Sequence, residues 1–153
     1  MSTMSPKSAL ISLLFIHTLF SCNPKESTSP LVGTWELVSA TTIEKDTTFS
    51  TFDPTHKMIK MLNATHFSFL NHAVDRTKDS SATAFSAGGG RYTLADSTYT
   101  EHLEYFTDKA WENHDFTFTI TMSGDTLIQK GVEKVEKLGI DRVIVEKYIR
   151  VKK

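Results

Sequence analysis

Tyr99-Thr100-Glu101-His102-Leu103-Glu104-Tyr105 is the stretch of this chain whose residue types and spacing come nearest to a site. In an extended strand alternate side chains share a face, so Tyr99, Glu101, Leu103 and Tyr105 fall together. Two tyrosines and a leucine suit an interior face, and they carry Glu101 inward with them. A buried carboxylate must be paired or protonated. Glu101 then has three readings. It is the polar anchor of a ligand, with Tyr92 and Tyr99 as hydrogen-bonding walls; it is half of a structural pair with an inward Lys60 or Arg150; or the register turns it to solvent. Phe67, Phe69, Phe116 and Phe118 add an aromatic stripe that either packs a core or surrounds a bound molecule. The candidate ligand-binding set is Phe67, Phe69, Tyr92, Tyr99, Glu101, Tyr105 and Phe118.

Other chemistry finds less support. His56, His66, His72, His102 and His114 include no pair at helical ligand spacing and no His-x-His on one strand, so no metal is expected. Gly88-Gly89-Gly90 is followed by neither Gly-Lys-Ser/Thr nor a helix, which favours a bend or bulge where a strand enters the sheet over a phosphate loop. No Gly-x-Ser-x-Gly is present. The expectation is a chain that is not an enzyme and carries no cofactor.

The first 21 residues read as an address. Lys7 is the only charge before an apolar run from Ala9 to Phe20. Twelve helical residues span about 18 Å, short of the ~30 Å hydrocarbon core, which suits a signal peptide and not a transmembrane anchor. The segment ends Leu19-Phe20-Ser21-Cys22, which resembles the lipobox of bacterial lipoproteins: leucine three before a cysteine, a small residue directly before it. The resemblance implies cleavage before Cys22 and acylation of that cysteine with palmitate-like chains. Asn23 to Pro30 is polar and proline-containing, so residues 22–30 read as a tether. Cys22 is the chain's only cysteine, so no intrachain disulfide is possible. The 132 residues left after cleavage carry 16 basic and 18 acidic groups. This balance excludes a nucleic-acid partner that needs a basic surface. Membrane contact falls to the lipid on Cys22.

Positioning these groups requires strands. From Leu31 onward the chain alternates with period two and shows little at helical spacing. Phe116-Thr117-Phe118-Thr119-Ile120-Thr121-Met122 sets four apolar groups against three threonines. Further strands are expected at 34–41, 57–62, 65–70, 91–94, 99–106, 126–130 and 142–151, with an extra one at 47–52. Ser123-Gly124-Asp125 is a hairpin turn. Thr107 to His114 suits one helical turn, and Ala73 to Ala87 is a long polar loop. About eight short strands predict an all-β fold, an antiparallel sandwich or up-and-down barrel, over residues 31–153.

Gly33-Thr34-Trp35 at the start of the first strand resembles the lipocalins and the lipocalin-like domains of small bacterial envelope lipoproteins. Gly88-Gly89-Gly90-Arg91-Tyr92-Thr93-Leu94 with Tyr99-Thr100-Glu101 is similar to their middle hairpin, and the likeness spans about residues 31–152. It implies an up-and-down barrel whose closed end is plugged by Trp35 and covered by a basic residue of the last strand, Arg150 or, failing that, Lys147. It implies a lipid-anchored protein of a Gram-negative-type cell envelope, at the outer membrane. The inward aromatic set and the long Ala73–Ala87 loop, a candidate lid for the mouth, point to a small apolar or amphipathic molecule bound inside the barrel. The alternative is a filled barrel that docks on another envelope protein. An enzyme using Glu101 with a tyrosine is a third reading.

Overall fold

The computed structural model describes residues 29–74 and 85–152. The expected signal peptide, Cys22 and most of the tether lie outside them, as does the middle of the expected Ala73–Ala87 loop. Alternating residues build nine strands: β1 (Gly33–Glu44), β2 (Thr47–Ser50), β3 (His56–Leu62), β4 (His66–Ala73), β5 (Phe85–Ala95), β6 (Thr98–Phe106), β7 (His114–Ser123), β8 (Thr126–Val135) and β9 (Ile140–Arg150). Every pairing is antiparallel. β3 through β9 follow one another in order, and β1 joins β3 on one side and β9 on the other, closing an eight-stranded up-and-down barrel. β2 is the exception. It takes the far half of β1, from Thr41 to Glu44, so the β1–β3 ladder stops at Glu36 opposite Ile59.

β7 follows its alternation: Phe116, Phe118 and Ile120 are buried and the threonines between them are exposed. Gly124 takes the left-handed turn after it. The helical turn expected after β6 is a single 3₁₀ turn, Lys109–Trp111, capped by Asp108, whose Oδ1 accepts from the Ala110 N–H at 3.0 Å. The expected 73–87 loop is shorter at both ends, because Ala73 finishes β4 and Phe85 to Ala87 begin β5.

Two bulges reset the inward face. On β1 the register shifts between Leu37 and Ser39, so Trp35 and Leu37 point in, Val38 is extruded, and Ala40 and Thr42 point in beyond it. On β6, Leu103 pairs with Gly90 but Tyr105 pairs with Gly89, leaving Glu104 as the extra residue. A bulge of one residue exchanges the faces of everything beyond it. Gly90 permits it, since a Cβ there would collide with the backbone carbonyl of His102. Within the run, Gly88 leaves space for the rings of Phe69 and Phe106.

The core fills one end of the barrel. Trp35, Leu31, Leu62, Phe67, Tyr99, Leu127 and Tyr148 are all buried there. Trp35 Nε1 donates to the carbonyl of Leu31 at 2.9 Å, folding the segment before β1 across the opening. Arg150, paired with Trp35 in the β1–β9 ladder, lays its guanidinium 4.0 Å from the indole centroid. It also donates to the carbonyls of Val32 and Pro30. Gly33 is required beside it: its φ is 150°, and a Cβ would run into the Arg150 guanidinium.

Candidate functional site

The other end of the barrel is open. A cavity of about 240 Å³ enters it, lined by Phe69, Leu103, Phe106, Trp111, Phe116, Phe118 and Ile144, and by a set of charged and amide groups below them. A second space of about 220 Å³ adjoins it toward β2, and the two share Met58, Glu133, Arg142, Ile144 and Glu146. Together they reach the range of about 300–1,000 Å³ typical of small-molecule sites.

The walls come from ordinary strand alternation. Met58, Lys60 and Leu62 share the inner face of β3; Gln129 and Glu133 share that of β8; Arg142, Ile144, Glu146 and Tyr148 share that of β9. Trp111 is brought in by the 3₁₀ turn, 6.1 Å between ring centroids from both Phe106 and Phe116.

A polar network separates the cavity from the closed end. Lys60 is only 3% exposed and donates to Glu101 Oε1 at 2.7 Å and to Gln129 Oε1 at 3.1 Å. Its ammonium also lies over the Tyr148 ring, 5.3 Å from the centroid. Gln129 Nε2 donates onward to Glu146 Oε2 at 2.8 Å, and the Tyr148 hydroxyl donates to the same oxygen at 2.6 Å. Glu146 Oε1 accepts no hydrogen bond among the described residues. Nearer the mouth, Arg142 holds Glu133 Oε2 through both Nε, at 2.8 Å, and Nη2, at 2.7 Å.

Burial raises the carboxyl pKa of Glu146; the Lys60 charge and the Tyr148 hydrogen bond oppose it, and the negative charges of Glu101 and Glu133 add to it. Tyr148 is raised well above the ordinary phenol range, first by burial and then by Glu146. Tyr99 is raised likewise by burial, then by Glu101, and its buried hydroxyl has no hydrogen-bond partner among the described residues.

The Glu146 shift has a pH signature. With a raised folded pKa, the native state holds its proton where the unfolded chain has released it. Stability therefore falls as pH rises from the ordinary carboxyl value near 4.5 through the folded pKa. Glu146→Gln should lose that decline. Thermal melts of both forms between about pH 4 and 8 should show Gln gaining on the wild type as pH rises, and a constant difference would place the carboxyl at an ordinary pKa.

Of the seven candidates, Phe69, Glu101 and Phe118 line the cavity. Phe67 and Tyr99 belong to the closed-end core. Tyr92 packs on Tyr99 with centroids 5.3 Å apart and donates its hydroxyl to the Asn63 carbonyl at 2.7 Å, so it does not wall the cavity. Tyr105 is a correction: it is 68% exposed, because the Glu104 bulge turns it outward and brings Phe106 in. Of Glu101's three readings, the structure shows the pair with Lys60; Arg150 is occupied at the far end.

Lys60 entered the sequence reading only as a partner, and Gln129, Glu133, Arg142 and Glu146 did not enter it. One signal was available for Glu146: a strand that turns Arg150 inward also turns Tyr148, Glu146, Ile144 and Arg142 inward.

Among the described residues, no three His, Cys, Asp or Glu side chains converge as a metal site would need. His56 and His102 each hold one carboxylate at 2.8 Å, Asp53 and Asp115 respectively. Thr55 is the main cause of a lowered Asp53 pKa.

Residues 30–153 match a family model described as a domain of unknown function (DUF4488). No curated protein and no solved structure matches the chain.

Proposed function

The chain belongs to the DUF4488 family, and we propose that its barrel binds a small amphipathic molecule while lipid on Cys22 holds the protein at a bacterial outer membrane. The carrying observation is the half-filled barrel, apolar at one end and open at the other over a hydrogen-bonded polar floor. An interior cavity favours a small-molecule ligand, whereas a filled barrel with a contiguous exposed apolar patch would favour a protein partner. The anchor rests on Leu19-Phe20-Ser21-Cys22 and the polar tether after it. Three acyl chains on such a cysteine, as the lipoprotein resemblance implies, would exceed the marginal hold of a single chain.

One preparation tests both parts. Cys22→Ser, expressed in the native host, should move from the membrane to the soluble fraction with the same melting curve. Native mass spectrometry of that soluble form should show a small noncovalent adduct. Retention on the membrane would remove the anchor, and a mass equal to the bare chain would count against the ligand.

A further inference from the structure

The acidic and basic groups around the cavity are unequal in number. Its lining holds two cations, Lys60 and Arg142, and three carboxyl groups, Glu101, Glu133 and Glu146. Both cations are committed. Lys60 gives its donors to Glu101 and Gln129 and lies over the Tyr148 ring, and Arg142 is clamped on Glu133. An anionic ligand would find no free cation among the described residues and an excess of carboxyl oxygens. Glu146 is the member left over. Its Oε2 accepts from Gln129 and Tyr148, while Oε1 accepts nothing among the described residues. It lies deep between strands yet keeps accessible surface, because it borders both parts of the cavity. Phe69, Phe106, Trp111, Phe116 and Phe118 stand around the same space, and aromatic rings attract cations while excluding water.

We infer that the ligand is a compact organic cation: a protonated amine on an apolar body, its N–H donating to Glu146 Oε1 and its body held among the aromatic walls. This deepens the ligand-binding reading and rests on it. An unmatched carboxylate in a place poorly reached by water is costly alone and gains most from an opposite charge. Burial disfavours the charge on Glu146 while Oε1 stands alone; an ammonium at that oxygen offsets this cost, which a neutral molecule of the same shape cannot do.

The test uses three probes of one shape: phenethylamine, phenethyl alcohol and hydrocinnamate, titrated calorimetrically at about pH 8, where an alkyl amine stays protonated. The amine should bind at least about tenfold more tightly than either of the others, the ratio that one net charge–charge contact of about 1.4 kcal/mol supplies. Glu146→Gln should abolish the preference of amine over alcohol, with a melt confirming the fold. Phe69→Leu keeps the wall apolar but removes its π face, and should weaken the amine several-fold more than the alcohol; it decides the matter if the Gln variant does not fold. Equal binding of alcohol or acid, or a preference that survives Glu146→Gln, or equal losses in Phe69→Leu, overturns the cation and leaves a ligand-binding barrel. Binding of none of the three, while the native preparation still carries its own molecule, also overturns the cation alone. No binding and no carried molecule overturns both.

Discussion

Trp35→Ala should destabilise the domain by roughly 3–5 kcal/mol, the usual cost of deleting a buried large aromatic and leaving a cavity. Trp35 is fully buried, donates to the Leu31 carbonyl, and is covered by Arg150. Its loss removes the floor on which Leu31, Tyr148 and Leu127 rest and frees the segment that crosses the closed end. Arg150→Ala should be milder, yet it removes the cation over the ring and the donors to Val32 and Pro30. The two changes should not add. Denaturant unfolding of the four forms of the cycle should give a coupling of about 0.5–2 kcal/mol, the size of a cation–π contact. Simple additivity would mean that guanidinium and indole contribute independently.

Lys60→Met should cost a similar amount, roughly 3–5 kcal/mol, through an unrelated mechanism. Methionine matches the lysine stem in bulk, so little packing is lost. What remains is Glu101, 7% exposed, without the ammonium that holds it at 2.7 Å, and a Gln129 carbonyl without its donor. An uncompensated buried carboxylate costs far more than the original pair contributes. The melting temperature should drop by on the order of ten degrees. Adding Glu101→Leu should recover most of the loss, since replacing both members with apolar groups is often neutral or stabilising. Failure of the second change to rescue the first would place the strain elsewhere, in Gln129 and Glu146.

The barrel itself was legible because its signals are local. β7 reads Phe-Thr-Phe-Thr-Ile-Thr-Met, and its burial follows that alternation residue by residue. Trp35 and Arg150 could be set opposite each other because one sits at the start of the first strand and the other at the end of the last. The site was less legible because its parity is set by bulges. Counting by twos along β6 places Tyr105 inside, and Glu104 undoes the count with one extra residue that nothing short of the pairing partner reveals. Gln129 and Glu146 escaped for another reason. A polar residue in an apolar strand looks like its solvated face until several such residues, from strands far apart in sequence, meet on the same side. Lys60, Glu101, Gln129 and Glu146 come from four strands, and only closure of the barrel brings them together.

The early end of the β1–β3 ladder has a mechanical consequence. Past Glu36 and Ile59 the β1–β3 ladder stops, because β1 has turned to β2. The first residues of β3, His56 to Met58, keep backbone pairing with β4 only, with the exposed Lys57–Glu36 ion pair bridging to β1. The tube is slit along one side at its mouth, and the slit is bordered by Leu37, Ala40, Phe52, His56 and Met58. A closed ladder fixes girth, since widening it breaks hydrogen bonds in register. At the slit the wall is held by the short β1–β2 ladder and by the Thr51 and Phe52 N–H groups on the Ala40 carbonyl. Fewer hydrogen bonds therefore resist widening there than at the plugged end, where β1 is laddered to both β3 and β9.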